Sequence, residues 1–275
     1  MAIVGARPSI FPPRRSLRPL LVAAMLGVAV STLAAAELTD AAARAYAEYL
    51  ERARRSFLDR SKARIGTSDA ERGLLKSEET IVRPGGGDGI QTMPESLIHH
   101  WRAMIFIPRV TLRQALTVSH AYRDYPTIFH PVVAAHVLSD EGDALRVQFR
   151  MKQSAGGITG TIDMWSTIRY VTTDPAHAYV ISVADTIREV KDAGRSTERY
   201  LSPDKSSGYL WRAATFTRFV EEDGGVYMEM ETIGLSRGFP PFLGWVIEPI
   251  ARRIGRGSVE NSVQEFRRAV LMRPS

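Results

Sequence analysis

The chain has 275 residues, 44% of them hydrophobic and 24% charged, which fits a folded globular protein and excludes a disordered polyelectrolyte. Its formal charge of +6 includes Arg7, Arg14, Arg15 and Arg18 of the first 36 residues, which hold no acid; without those four charges +2 remains, too little for a nucleic-acid-binding surface. Cysteine is absent, which excludes disulfides, thiolate metal sites and cysteine nucleophiles.

Residues 1–36 divide into basic PPRRSLRP, apolar LLVAAMLGVAV and a small-residue exit STLAAA. That is the layout of a secretory signal peptide, with Ala34 and Ala36 at the positions a signal peptidase reads. Cleavage near Ala36 is expected, leaving a periplasmic or secreted protein. The competing reading is an uncleaved anchor, for which Leu20 to Ala36 is just long enough.

Leu38 to Ala63 reads as a helix: Ala42, Tyr46, Tyr49, Leu50, Ala53 and Phe57 recur at three- and four-residue spacing, with Thr39 or Asp40 as cap. The following stretch, through PGGGDG at Pro84 to Gly89, lacks periodicity and reads as linker. Residues 37–95 are therefore expected to be an accessory helix and irregular linker ahead of a main domain at 96–275.

Within that domain SLIHHWRAMIFIP is a strand closed by proline, TLRQALTVSHAY a helix and DYPTIFHP a short turn or second small helix. Six strand-like runs follow: VVAAHVLS, ALRVQFRMK, TGTIDMWSTIRYVT, AYVISVADTIREV, YLWRAATFTRFV and VYMEMETIGL. The connectors DEGD, SAGG, DPAH and EEDGG have turn composition. Two helical pieces end the chain, Phe239 to Ile254 and Ser258 to Leu271, separated by GRG. This order predicts an α+β fold, a curved seven-stranded antiparallel sheet wrapped on a C-terminal helix.

Alternation divides each strand into two faces. Leu145, Val147, Phe149 and Met151 oppose Arg146, Gln148, Arg150 and Lys152; Val226, Met228, Met230 and Thr232 oppose Tyr227, Glu229 and Glu231. One side of the sheet is thus expected to be covered and the other wet. The same count turns inward Ile162, Met164, Ser166, Ile168 and Tyr170, and Tyr179, Ile181, Val183, Asp185 and Ile187. On the first strand Leu97, His99, Trp101, Ala103, Ile105 and Ile107 face in. Tyr209, Trp211, Ala213, Thr215, Thr217 and Phe219 do so later, leaving Arg212 and Arg218 in water.

An apolar concavity with a few convergent polar groups is the profile of a small-molecule site. The candidate ligand-binding residues on the sheet are His99, Trp101, Met164, Ser166, Tyr170, Asp185, Tyr209, Trp211, Thr215, Met228 and Met230. The alternative for each is a core residue satisfied internally. In the segment FPPFLGWVIEPIARRI, Phe242, Val246 and Ile250 form an apolar stripe. Glu248, Arg252 and Arg253 interrupt it, which excludes a membrane span. A helix kinked at Pro249 and covering the cavity mouth is the expectation, with a plain core helix as the alternative.

The catalytic devices are absences: no GxSxG, no GxxxxGK, no HExxH and no glycine-rich dinucleotide loop after a strand. No cofactor and no metal are expected. His99 and Asp185, if they met, could form an acid/base dyad.

The stretch IPRVTLRQALTVSHAYRDYPTIFHPVVAAHVLS resembles the early segment of START-like proteins, the SRPBCC superfamily that includes coenzyme-Q-binding and polyketide-cyclase-type domains. GLSRGFPPFLGWVIEPIARRIGRGSVENSVQEFRRAV resembles the family's closing helical region. The likeness spans about Ser96 to Leu271 and is greatest to exported bacterial members without an assigned reaction. It implies the helix-grip fold and a hydrophobic ligand (lipid, isoprenoid or quinone-like) held between sheet and C-terminal helix, with transient contact to a membrane surface. The alternative it implies is a cyclase- or hydrolase-type cavity enzyme acting on an apolar substrate.

Overall fold

The computed structural model describes residues 37–155, 158–238 and 244–273. Two helices come first, α1 (Asp40–Asp59) and α2 (Asp69–Lys76), then strands β1 (Ile81–Pro84), β2 (Ile90–Met93) and β3 (Ser96–Pro108). Helices α3 (Leu112–His120) and α4 (Tyr125–Ile128) lead into β4 (Val132–Asp140), β5 (Leu145–Ala155), β6 (Ile158–Asp174) and β7 (His177–Lys191). The two-residue β8 (Arg199–Tyr200), β9 (Arg212–Glu222), β10 (Gly225–Arg237) and α5 (Gly244–Leu271) complete the chain.

This is the expected helix-grip architecture. The strands pair antiparallel in the order β1-β3-β10-β9-β7-β6-β5-β4, with β2 also on β3 and β8 on β7. Among the described residues the sheet has ten strands rather than seven; the additions are β1, β2 and β8, all in stretches without alternation. β1 and β2 are two halves of one edge strand along β3. Pro84 faces Trp101 and Ile90 faces His99, so Gly85 to Gly89 bulge out opposite the single residue His100. Gly85 N and Gly89 O bond the His100 backbone at 2.9 Å each. The PGGGDG run is therefore a built part of the sheet edge and not a linker. Glycine is needed here: a Cβ on Gly85 would lie 2.1 Å from the His100 ring, and Gly89 has φ +97°.

The concave face is gripped by α5. Val259, Val263, Phe266 and Val270 pack onto Ile105, Ile107, Val226, Met228 and Phe219, with the Phe219 and Phe266 rings 5.8 Å apart. α5 runs unbroken through Pro249, Gly255 and Gly257, so the expected break at GRG does not occur. Each glycine costs a helix about 1 kcal/mol, an amount that packing of the apolar stripe on the sheet outweighs.

The convex face, expected to be wet, is covered as well. α1 begins at Thr39, whose hydroxyl accepts from Ala42 N at 3.3 Å, and lays Tyr46 and Phe57 against Phe216, Ile233 and Leu235. Leu75 of α2 and Ile65 pack with Phe106 and Tyr227. Arg218, expected in water, is 3% exposed, and Glu229 and Glu231 are equally buried beneath the helices. These charges survive burial because each has partners. Arg218 lies 3.1 Å from Glu229 and donates to Arg60 O and Ala63 O at 2.8 and 2.6 Å. Glu231 is held by Arg60 at 2.8 Å and His100 at 2.7 Å, and the other His100 nitrogen meets the Tyr49 hydroxyl at 2.7 Å. Residues 37–95 are thus the second layer of the same fold.

Candidate functional site

Residues directly opposite one another in antiparallel strands share a face, so the registers can be read as rows across the sheet. One row on the concave face is Trp101, Thr232, Thr215, Ser182 and Ile168, from β3 through β10, β9 and β7 to β6. The next is His99, Gly234, Ala213, Ala184 and Ser166. On the opposite flank lies Ala103, Met230, Thr217, Val180 and Tyr170. Bulk collects beyond it, in Ile105, Met228 and Phe219, where the C-terminal half of α5 presses down.

The first two rows have small side chains at their centres. Thr232, Thr215, Ser182, Gly234 and Ala213 are all partly exposed although they lie on the three central strands. A Cβ built on Gly234 would approach only Leu210 Cδ1 at 3.2 Å and Arg212 O at 3.9 Å among the described residues. Two polar atoms at the margins of this floor are buried and have no hydrogen-bond partner among the described residues: Trp101 Nε1 and Ser166 Oγ. Their residues are 6% and 1% exposed. An unpaired buried polar atom is costly, so each marks unused hydrogen-bonding capacity among the described residues.

Trp101 is wedged between two glycines. A Cβ on Gly89 would fall 2.2 Å from its ring, and one on Gly255 of α5 would fall 2.7 Å from Nε1. Asp88 of the same bulge pairs with Arg252 of α5, which also meets Glu248 at 3.2 Å. The glycine bulge therefore connects the N-terminal half of α5 to the sheet edge beside the floor.

His99 Nε2 lies 2.8 Å from Ser236 Oγ, and Ser236 Oγ donates to Arg237 O at 3.2 Å. Burial pulls the His99 pKa below the ordinary histidine value, so the ring is neutral at neutral pH.

Met164 and Met230 border the floor half-buried, whereas Met228 is core at 1% exposure. Tyr170 belongs to a hydroxyl network at the far end: its oxygen is 2.6 Å from the Tyr122 hydroxyl and donates to Ser119 O at 2.7 Å, and His120 stacks on its ring at 3.7 Å. That group is spent internally.

Four expected residues lie elsewhere. Asp185 is the extra residue of a β-bulge: Trp165 pairs with Thr186 but Ser166 with Ala184. It sits half-exposed on the convex side, 2.6 Å from Arg146 and 2.9 Å from Thr167 Oγ1, so it forms no dyad with His99. The bulge also reverses the expected faces of Tyr179, Ile181 and Val183, which pack beneath α1, and brings Ser182 and Ala184 onto the floor. Trp211 precedes β9 and packs in the α1 cluster, Tyr209 is 51% exposed, and Ile250 of α5 is 42% exposed rather than turned onto the sheet. Phe242 and the Val246 side chain lie outside the described residues, as does most of the opening of the expected lid.

A separate open concavity of about 980 Å³ lies outside α3, with Arg113, His120, Glu221 and Arg273 on its wall. Its acidic group accepts from Leu112 N at 2.6 Å, and Arg273 pairs with Asp124. Among the described residues no cluster of His, Asp and Glu could hold a metal ion, and no helix is long and apolar enough to cross a membrane.

No family model matches the chain, and no curated protein matches its sequence. Among solved structures it is similar to a STAR-related lipid transfer protein fragment from Xanthomonas axonopodis, with TM-score 0.44 and 12% identity over 67% of this chain and 100% of that one. It is also similar to human STARD10, with TM-score 0.45 and 10% identity over 78% and 84% of the two chains. A third is the Zhui aromatase/cyclase from a Streptomyces species, with TM-score 0.41 and 13% identity over 63% and 92%. At such identities no site residue carries over from any of them.

Proposed function

We propose that this START-like helix-grip chain binds an apolar small molecule on the concave floor between β10, β9 and β7 and the N-terminal half of α5. One observation carries the reading: a partly exposed floor of small residues, bounded by two buried polar atoms without partners among the described residues, beside a filled core. A floor meant only for internal packing would place bulky side chains there, as the neighbouring rows do. Asp185 lies on the opposite face from His99, which removes the acid partner that a cavity enzyme of the cyclase or hydrolase type would draw on and favours binding over turnover. With residues 1–36 taken as an export signal, the ligand is met in the periplasm or outside the cell.

The test is native mass spectrometry of the protein purified gently from its own host, followed by titration with an apolar fluorescent probe. A bound mass lost on organic extraction, with the same molecule competing against the probe, supports the reading. No bound mass and no probe binding would refute it.

A further inference from the structure

On the convex face, away from the floor, the covering layer matches buried charges with partners. Arg218 meets Glu229 at 3.1 Å, Arg72 meets Asp223 at 2.7 Å and Arg60 meets Glu231 at 2.8 Å. Arg102 of β3 has no such match. It stands between His100, which bonds Tyr49 of α1, and Met104, which belongs to the cluster under Leu75 of α2, so it lies where the cover of one helix gives way to the other. Arg102 is half-buried, its Nε is buried without a hydrogen-bond partner among the described residues, and no carboxylate among them pairs with it.

The ladder gives the reason. Arg102 is directly opposite Glu231 of β10 on one side and Arg83 of β1 on the other. Opposed residues on one face have Cβ atoms about 4.5–5.5 Å apart, near enough to attract or repel. Glu231 is already committed, Oε2 to Arg60 at 2.8 Å and Oε1 to His100 at 2.7 Å. Arg83 is held by Glu71 of α2, and its side chain is 44% exposed. Arg60, Arg83 and Arg102 thus share the two carboxylates of Glu231 and Glu71, and the last two arginines oppose each other across a strand pair, which costs stability.

We propose that Arg102 and Arg83 form a binding site for a phosphoryl group, entered from solvent between α1 and α2. A guanidinium presents its donors as a rigid fork that matches phosphate oxygens in pairs. A carboxylate has two oxygens and suits one fork, whereas a phosphoryl dianion has three and can accept from two neighbouring forks at once. Bound there, it neutralises the surplus positive charge, relieves the repulsion across the ladder and gives the Arg102 guanidinium the acceptor it lacks. Glu231 does not oppose it strongly, because Arg60 already balances that carboxylate.

The experiment titrates the full chain with inorganic phosphate by calorimetry at constant ionic strength, and measures co-sedimentation with phosphatidylcholine vesicles made with and without phosphatidic acid. Arg102→Gln should weaken binding at least about tenfold. Arg195→Gln, the same charge change at an exposed position between β7 and β8, should leave it unchanged. Glu71→Gln frees Arg83 while its amide oxygen can still accept from Thr67 N, and should tighten binding by up to about fivefold. Saturable phosphate binding lost in Arg102→Gln supports the site with a free phosphate or soluble phosphate ester as its ligand. Binding to the phosphatidic acid vesicles alone, with the same loss, supports it with a lipid headgroup as the source. Binding to neither, or an equal loss in Arg195→Gln, overturns the proposal. Should Arg102→Gln fail to fold, Glu71→Gln decides: tighter binding supports the site, and unchanged or weaker binding overturns it.

Discussion

Replacing Gly255 with alanine tests the most tightly drawn contact of the site. Taken alone, a glycine-to-alanine change inside a helix stabilises it by about 1 kcal/mol. At Gly255 the new methyl would stand 2.7 Å from Trp101 Nε1 and 3.1 Å from Cδ1, inside contact distance. The indole cannot retreat, because Gly89 already abuts its far edge, where even a Cβ would lie 2.2 Å away. Overpacking of this kind costs about 1–3 kcal/mol, so the net change is a loss of about 0–2 kcal/mol. Gly257, two residues on in the same helix, has nothing among the described residues within 4 Å of its Cβ position and provides the control. Gly257→Ala should raise Tm by about 2–4 °C, while Gly255→Ala should fall at least about 2 °C below it. The assay is thermal unfolding followed by circular dichroism on both variants and the wild type. If Gly255→Ala gains as much as Gly257→Ala, Trp101 is not wedged and the account of the site margin fails.

Three further outcomes follow from the same geometry. The folded pKa of His99 lies below its unfolded value of about 6.5, so the unfolded chain takes up the proton first and stability declines as pH falls through that value; His99→Gln should flatten this limb in urea titrations between pH 8 and 5, and an unchanged slope would contradict a buried neutral imidazole. Asp185→Ala removes a half-exposed pair with Arg146, so stability should change by less than about 1 kcal/mol and probe affinity not at all; a large loss of binding would return Asp185 to the site. Glu231→Gln removes the buried carboxylate that pairs with Arg60 and bonds His100 Nε2 and should cost about 3 kcal/mol by chemical denaturation, whereas a neutral result would mean the network under α1 is solvated.

Alternation alone was enough to place β5 and β10 correctly. Arg146 and Arg150 of β5 do face outward, and Val226, Met228 and Met230 of β10 do face α5, because in each case one face was visibly more polar. The same logic failed at β7. Ala178, Val180, Ser182 and Ala184 alternate with Tyr179, Ile181 and Val183, and neither set is polar enough to mark a wet side. α1 covers the convex face, so hydrophobicity no longer tells in from out, and the bulge at Asp185 then shifts the phase by one residue. Two of the floor's residues, Ser182 and Ala184, were hidden by that reversal. Thr215, Thr232, Trp101 and Ser166 were legible as inward-facing, but their alignment into rows depends on registers that turns and bulges set jointly.

By itself, then, the sequence determined the order of the seven long strands, the capped N-terminal helix, the apolar stripe of the closing helix and the antiparallel sheet, since these rest on local periodicity and capping. Only the tertiary structure decided that PGGGDG is a bulge opposite His100, that Arg218, Glu229 and Glu231 are buried together, and that α5 passes through two glycines without breaking. Each of those outcomes depends on what a distant segment packs against, and a one-dimensional pattern contains no term for it.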